Sequence, residues 1–292
     1  ISAFNVTNAA GLQHFKAFCE FTAERYSRPD QRHGRVVGYV VGNEIDSQWV
    51  WGNAGEMPVE EYMRQYHAAL RMAYYAARKK YAHARVYISL DHLWTIAHTD
   101  NPLRTYPGRE CLELLNGYAR DQGNFDWSLA YHPYPEDLRY ADFWNDTTAP
   151  DSFDAPRITF KNIEQLPRFM RQEAFLYDGR QRHIILSEQG FNSMKTEESE
   201  AFQAAAYALA YRKIEATDGI DSFILHAHVD NLREFGLNLG LWRVDDSGKP
   251  TTPKPIYDVF MKIDGPEGDR VYEEALPFLE REMDRGGEKK LF

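Results

Sequence analysis

Two glutamates of the sequence stand at the ends of strand-like apolar runs, and their carboxyl groups are the first candidates for chemistry. Glu44 closely follows the run Val36–Gly42, and Glu188 directly follows His183–Ser187. A run of this length, rich in β-branched residues, predicts a strand buried on both faces of a parallel sheet. Side chains at the carboxyl end of such a strand point into the mouth of an α/β barrel, where active sites lie. A carboxyl group there can donate a proton, accept one, or attack carbon.

Strands and helices are predicted to alternate along the chain. The apolar runs predict five strands, at Val36–Gly42, Val86–Leu90, Phe125–Tyr131, His183–Ser187 and Ile220–Leu225. The segments with helical signals are Ala10–Arg28, Val59–Tyr81, Gly108–Arg120, Asn162–Leu176, Glu197–Thr217, Pro255–Ile263 and Val271–Arg285. In the first of these helices, the stripe expected to face inward consists of Leu12, Phe15, Phe18 and Phe21. Such alternation predicts a parallel sheet covered by helices.

The predicted fold class is α/β, as a (β/α)8 TIM barrel of which this chain holds the third helix and strands four to eight. Five strands do not close a barrel, which needs about eight, and a doubly wound open sheet is the rival fold. No G-x-G-x-x-G or P-loop sequence follows any strand, which argues against that rival. We expect residues 1–264 to form the C-terminal portion of the barrel and residues 265–292 a charged helix and tail. An N-terminal barrel segment missing from this chain is expected to supply the first three strands, because two uncovered strand edges would favour aggregation.

Composition excludes several classes of partner. The net charge of −10 would repel the phosphates of a nucleic acid. No stretch of about 18 apolar residues is present, so no membrane span is predicted. The two cysteines, Cys19 and Cys111, lie in helical patterns and are expected to be buried thiols rather than a disulfide. We expect neither a metal nor a cofactor, and a neutral carbohydrate is compatible with the acidic charge.

The two strand-end glutamates have the residue type and the placement that glycoside hydrolysis needs. That reaction uses two carboxyl groups that flank one bond: one protonates the leaving oxygen, and the other attacks carbon or activates water. Glu44 and Glu188 are separated by three predicted strand–helix repeats. In a closed barrel the fourth and seventh strands face each other across the mouth, which would place the two carboxyl groups on opposite sides of one substrate.

Four short motifs resemble glycoside hydrolase clan A, the retaining (β/α)8 glycosidases. The clan carries Asn-Glu after its fourth strand and a single Glu after its seventh, as in Gly42-Asn43-Glu44 and Leu186-Ser187-Glu188. Many members have His-x-Tyr after the sixth strand, which matches His132-Pro133-Tyr134. Many also have a Trp after the eighth strand followed by Lys-Pro-x-Tyr, to which Gly240-Leu241-Trp242 and Lys254-Pro255-Ile256-Tyr257 are similar. The four motifs occur in the right order on the right predicted elements.

The resemblance implies a role for each matched residue. Glu44 would be the general acid/base, protonated at rest, and Glu188 the ionised nucleophile that forms a covalent glycosyl-enzyme. Asn43 would hydrogen-bond the sugar 2-hydroxyl, Tyr134 would donate to Glu188, and His132 would line the same wall. Retention implies carboxyl groups about 5–5.5 Å apart. Because clan members commonly act on extracellular glycans, we expect polysaccharide degradation by a secreted protein, extracellular or periplasmic.

Aromatic and histidine side chains near strand ends are further candidates for substrate binding. The sequence departs from the clan at the end of the eighth strand, which reads His226-Ala227-His228-Val229-Asp230 where a Trp is often found. Trp242 is expected to fill that place from a loop. Indole faces suit the C–H face of a sugar. The other predicted substrate contacts are Trp49, Trp94, His92, His226 and His228.

Two other functions are compatible with the same residues. A metal-dependent hydrolase on the same barrel could use His226, His228, Asp230 and His92, although its paired-histidine motif on the first strand is not visible. A non-catalytic sugar-binding pseudoenzyme would keep the aromatic platform, but the presence of both glutamates argues against it. Each strand-end side chain could also be structural: a glutamate after a strand can serve as a salt-bridge partner or as the N-terminal charge of a helix.

Overall fold

Five strands form one sheet whose order follows the chain. The structure is a computed structural model and describes residues 2–285. The sheet order is β1-β2-β3-β4-β5, and a separate antiparallel hairpin contains β6 and β7. The strands are β1 Gly38–Val40, β2 Arg85–Leu90, β3 Trp127–Tyr131, β4 Ile184–Leu186, β5 Ser222–Phe223, β6 Trp242–Val244 and β7 Pro250–Pro253. Because β1, β2 and β3 are parallel, as are β4 and β5, strand ends of one polarity share one edge of the sheet.

The helices lie between the strands as the sequence predicts, with shifted ends. They are α1 Ala9–Tyr26, α2 Gln48–Trp51, α3 Val59–Lys80, α4 Gly108–Asp121, α5 Gln165–Met170, α6 Glu197–Glu215, α7 Pro255–Lys262 and α8 Gly268–Ala275. The chain divides into two compact units, unit 1 (Ile1–Tyr131 and Arg168–Ile184) and unit 2 (His132–Pro167 and Ile185–Phe292). Helix α8 packs on α6 and α7 within unit 2.

Unit 1 is built on the buried strands β2 and β3. Helix α3 begins with acidic residues in its first turn and ends with basic ones in its last, which suits the helix dipole. It packs against α1 and α4. The fully buried side chains of Trp94 and Trp127 contribute to the core of this unit, and the free thiols of Cys19 and Cys111 are buried, as expected.

The burial predicted for β1 and α1 is wrong in part. Val37 is 55% exposed and Val40 is 43% exposed, because β1 is an edge strand with a sheet neighbour on one side only among the described residues. On α1, Phe15 is buried, whereas Phe18 and Phe21 are 61% and 64% exposed. The edge strand β1 and the helix α1 therefore both present apolar side chains to solvent.

Unit 2 is centred on α6, which begins with a capping box formed by Thr196 and Ser199. Two helices differ from their predicted bounds. The helix expected at 162–176 is reduced to α5, between short 3-10 turns. The helix expected at 271–285 ends at Ala275 and continues as a 3-10 turn, Leu276–Glu280, because Pro277 cannot donate a backbone hydrogen bond. The remainder of the predicted tail, residues 286–292, lies outside the described residues.

Membrane insertion by a helix finds no support in the described part of the chain. None of the helices within residues 2–285 combines the length and the apolar composition that a membrane crossing requires.

Candidate active site

Glu44 sits on a tight turn that leaves β1 in unit 1. Its backbone is left-handed, with φ 39° and ψ 61°, a conformation that is uncommon for a residue with a side chain. Its backbone N–H donates to Ser89 Oγ at 3.1 Å, and its carbonyl accepts from the N–H of Ser47 at 2.9 Å. Gly42 has φ 85°, and a Cβ there would lie 2.8 Å from Ile45, so the turn requires glycine. The side chain of Glu44 is buried at 8% exposure at the carboxyl end of the strand.

Asp46, two residues further along the same turn, is a buried carboxyl group that was not among the predicted site residues. It is 1% exposed, and its two oxygens lie 3.2 and 3.3 Å from the backbone nitrogen of Asp91. Burial raises the pKa of Asp46 well above its ordinary value, and the charges of Asp91 and Glu44 raise it further. The sequence signal was present, because Asp46 belongs to the same polar strand end as Glu44.

His92 follows β2 in unit 1 and lies against its neighbour Asp91. Nδ1 of His92 lies 2.7 Å from Asp91 Oδ1, and the backbone N–H of His92 donates to the same oxygen at 2.5 Å. The imidazole is 5% exposed. Among the described residues, this Nδ1 has no partner with hydrogen-bond geometry, so the contact with Asp91 is one of proximity.

The two tryptophans predicted to bind substrate in unit 1 differ in exposure: Trp49 lies at the surface and Trp94 in the core. Trp49, on α2, is 36% exposed, and the guanidinium carbon of Arg104 lies 4.0 Å from its ring centre. Trp94 has no exposed surface and packs edge-on against Phe169 and Tyr131. The expectation that Trp94 contacts a sugar is therefore corrected, because its indole belongs to the core of unit 1.

Asn43 lines a cavity of unit 1 beside Glu44. The cavity measures about 200 Å³, and Trp51, Tyr62 and Gln65 are among its other lining residues. Asn43 is thus beside a cavity whose lining is mostly apolar and does not include Glu44.

Glu188 follows β4 in unit 2 and is held by Tyr134. The Tyr134 hydroxyl donates to Glu188 Oε1 at 3.0 Å, as predicted. Tyr134 is 6% exposed and packs with Leu237, Leu239 and the partly buried Leu138, so its ring has little freedom. Glu188 itself remains partly accessible. A donor on one oxygen limits the rotation of the Glu188 side chain.

The strand end around Glu188 is tightly constrained within unit 2. His132 is 2% exposed, and its Nε2 lies 3.0 Å from Ser187 Oγ. A Cβ on Gly190 would lie 2.1 Å from the carbonyl oxygen of His226, so only glycine fits there. The backbone N–H of His226 also donates to the Gln189 carbonyl at 2.7 Å. These contacts place His132 and His226 next to the segment that carries Glu188.

The histidines and the aspartate after β5 mostly have partners of their own. His226 Nε2 lies 3.2 Å from Glu234 Oε1, whereas His228 is exposed. Asp230 is ion-paired at 2.7 Å with Lys254, and both side chains are buried. Lys254 also donates to the Ser193 hydroxyl and to a backbone carbonyl. Asp230 therefore fixes the loop after β5 rather than facing an open site.

Trp242 lies on β6 and not in a loop as expected. Its ring is partly exposed and packs edge-on against Tyr257, with 5.5 Å between ring centres. Tyr257 belongs to the Lys-Pro-x-Tyr stretch, in which Pro255 opens α7. The hairpin therefore holds Trp242 more rigidly than a loop would.

The predicted site residues form two sets, one in each unit. Unit 1 contains Asn43, Glu44, Trp49, His92 and Trp94, and unit 2 contains His132, Tyr134, Glu188, His226, His228 and Trp242. In each set a glutamate stands at the carboxyl end of a parallel strand and is constrained by neighbouring polar groups.

Solved structures of glycosidases share this fold. A hyperthermophilic β-glucosidase from Pyrococcus furiosus has a TM-score of 0.57 at 15% identity, over 94% of this chain and 63% of that one. The family 1 β-glucosidase from Thermotoga maritima gives 0.52 at 14% identity, over 91% and 69%. A family 39 glycoside hydrolase from the gut symbiont Bacteroides cellulosilyticus WH2 gives 0.51 at 17% identity, over 85% and 44%. The chain thus spans 44% and 63% of the lengths of two of these glycosidases.

The predicted fold class is confirmed. The fold is α/β, that of part of a (β/α)8 barrel, in which α1 corresponds to the third helix and β1 to β5 to strands four to eight. The chain belongs to DUF5722, a family of unknown function, whose model matches residues 1–283. No curated protein matches the chain in sequence.

Proposed function

We propose that this protein is a retaining glycoside hydrolase that cleaves a β-glycosidic bond in an oligo- or polysaccharide. Glu44 is the general acid/base and Glu188 is the nucleophile. The observation that carries the proposal is the hydrogen bond from Tyr134 to Glu188 at 3.0 Å, on a strand end of a barrel fold shared with glycosidases. It is the arrangement that a nucleophilic carboxylate needs, with a fixed rotamer and one oxygen left to attack.

In the first step, Glu188 attacks the anomeric carbon and Glu44 gives its proton to the glycosidic oxygen. The carbon–oxygen bond to the leaving group breaks as the bond to the Glu188 oxygen forms, and the leaving group departs as a neutral alcohol. This step requires a protonated Glu44. Its side chain is buried, and burial favours the neutral form of a carboxyl group.

In the second step, Glu44 acts as a base. Its carboxylate takes a proton from water, the water oxygen attacks the anomeric carbon, and Glu188 leaves as a carboxylate. The Tyr134 hydroxyl would then stabilise the returning charge on Glu188. Two displacements at the same carbon retain the β configuration.

Substrate contacts are proposed for residues of both sets. Asn43 would bind the 2-hydroxyl, and the exposed faces of Trp49 and Trp242 would stack on sugar rings. The other proposed contacts are His92, His132, His226 and His228. Trp94 is not among them, since it is buried in the core.

The metal-dependent alternative is not favoured by the donor set. Asp230 neutralises the buried Lys254, and His226 is paired with Glu234, so two of its four ligands are already engaged. Binding zinc would leave Lys254 as an uncompensated buried charge, which is costly.

A further barrel segment is proposed to pair with the outer edge of β1. Support comes from the exposed Val37 and Val40 at that edge and from the 63% coverage of the Pyrococcus furiosus barrel. Such an edge is a template for another strand. We also propose an extracellular or periplasmic location, on the ground that the clan commonly acts on extracellular glycans.

The stereochemistry of the first product tests the function. The full-length protein is screened with aryl β-glycosides and polysaccharides, and the anomer released from the best substrate is followed by NMR before mutarotation. Retention of the anomeric configuration is expected for wild type. The Glu188→Gln variant should show no turnover. Initial inversion would contradict the mechanism, and sugar binding without turnover would favour the pseudoenzyme.

A further inference from the structure

In the described part of the chain, a buried carboxyl group two residues from Glu44 has no cation to neutralise it. Asp46 is 1% exposed, and within residues 2–285 none of the lysine, arginine or histidine side chains forms an ion pair with it. Within that range its side chain accepts from the backbone N–H of Asp91, shared between its two oxygens at 3.2 and 3.3 Å, and its own backbone N–H is a further nearby donor. Two backbone donors leave part of the acceptor capacity of a carboxylate unsatisfied.

The groups that surround Asp46 would oppose a negative charge on it. Glu44 lies on the same turn, Asp91 follows β2, and the two helices packed on this turn contribute Tyr62 from α3 and Cys111 from α4. None of these carries a positive charge. A buried ionised carboxylate without a cation is costly, and such a group keeps its proton instead.

One feature favours the opposite state. Asp46 Oδ2 lies 3.3 Å from where a Cβ of Gly108 would be, at the first residue of α4, and a helix N-terminus attracts anions. However, the first N–H groups of α4 donate elsewhere: Gly108 to the carbonyl of Leu93 and Arg109 to that of Trp94. Without those donors the helix supplies only a weak field, which desolvation outweighs.

We propose that Asp46 is a neutral carboxylic acid and a positioning residue for Glu44. It connects the Glu44 turn to the end of β2 and adds no second negative charge beside the acid/base. Its side chain accepts from Asp91, and its carbonyl accepts from the backbone N–H of Tyr106 at 2.8 Å. The turn so fixed carries Glu44 in its left-handed conformation. This role rests on the proposed function of Glu44.

The first arm of the test compares Asp46→Asn with Asp46→Ala in the full-length protein. Asparagine keeps the acceptor and is always neutral, whereas alanine leaves the Asp91 N–H without its partner. Asp46→Ala should lower kcat at least tenfold on substrates with poor leaving groups and less on activated ones, because it disturbs the acid. Asp46→Asn should have a kcat close to that of wild type. The basic limb of its pH profile should lie at the same pH as in wild type. A basic limb moved by a pH unit or more in Asp46→Asn, or unchanged kinetics in Asp46→Ala, would overturn the proposal.

The second arm needs no turnover and so separates this inference from the proposed function. If Asp46 is protonated only in the folded state, its pKa falls on unfolding, and the native protein loses stability as the pH rises above about 4. The unfolding constant of wild type relative to Asp46→Asn should rise about tenfold per pH unit between pH 5 and the folded-state pKa. The exposed Asp246→Asn is the matched control and should show a flat ratio. A flat ratio for Asp46→Asn from pH 5 to 8 would show an ionised Asp46 and overturn the proposal.

Discussion

The hydroxyl of Tyr134 donates a hydrogen bond to Oε1 of Glu188 at 3.0 Å. Both residues lie in unit 2, where Tyr134 follows β3 along the chain and Glu188 follows β4. The ring of Tyr134 is held by Leu237 and Leu239, so the donor is already in place before a substrate arrives. A preorganised donor of this kind limits the rotation of the carboxyl group that it contacts. The proposed nucleophile is therefore supported by the packing of an aromatic ring as well as by its place in the sequence.

Removing that hydroxyl should weaken catalysis while the fold is retained. A hydrogen bond to a charged group contributes about 1.5–3 kcal/mol, so Tyr134→Phe should lower kcat by about 10- to 100-fold. Steady-state kinetics on an aryl β-glycoside measure this. The control is Tyr140→Phe, which removes a hydroxyl bonded to the Arg285 carbonyl at 3.2 Å. Equal losses in the two variants would argue for a structural effect in both.

Glu44→Ala should discriminate between leaving groups. An activated aryl leaving group departs without protonation, whereas a sugar alcohol needs the acid, so the variant should lose at least tenfold more activity on the natural type of substrate. Rates on a series of aryl glycosides with different leaving-group pKa values give the comparison. Glu56→Ala, at an exposed ion pair with Arg104, is the control. Equal loss across the series would remove Glu44 from the acid role.

His67 should make the protein sensitive to mild acid. Burial, and next the charge of Arg71, lower the pKa of His67 to about 4. The unfolded chain titrates near its ordinary value of about 6.5, so it binds more protons than the native state between these values. Stability is therefore present above about pH 6.5 and is lost as the pH falls towards 4.

Urea unfolding at several pH values measures this effect. The acid-dependent loss of stability should be smaller in His67→Gln than in wild type, whereas the exposed His14→Gln should follow wild type. An identical pH dependence in wild type and His67→Gln would contradict a neutral, buried His67.

The buried pair of Lys254 and Asp230 should matter far more to stability than a surface pair. Lys254→Met leaves Asp230 charged and buried, which costs about 3–5 kcal/mol. Arg270→Ala breaks exposed pairs with Glu267 and Glu274 and should leave the free energy of unfolding almost unchanged. Thermal and urea unfolding compare the two, and similar small losses would show that Asp230 is neutralised in another way.

The sequence alone was sufficient for the parts of the fold that depend on local pattern. The alternation of apolar runs with helical stretches specified the parallel sheet, and the polar residues at strand ends specified where Glu44 and Glu188 stand. The hydrogen bond between Tyr134 and Glu188 was also predicted, from the resemblance to clan A. These features are set by residue order, which a sequence displays directly.

Burial was harder to predict because it depends on which elements become neighbours. The run at β1 has the composition of a strand covered on both faces, yet Val37 and Val40 are exposed at an edge. Trp94 follows a strand end like Trp49, but Phe169 from a distant segment covers its ring. The burial of Asp46 could not be predicted for the same reason, because it depends on contact with Asp91, which follows a different strand.

Covalent trapping is the measurement that tests the central claim most directly. The full-length protein is incubated with a slow 2-deoxy-2-fluoro glycoside of the best substrate, and its peptides are mapped by mass spectrometry. We predict one added sugar on the carboxylate of Glu188 and, in a crystal structure of the enzyme, a Glu44 carboxyl group about 5–5.5 Å from that of Glu188. A sugar attached to a different residue, or carboxyl groups about 6.5–9.5 Å apart as inversion requires, would contradict the account.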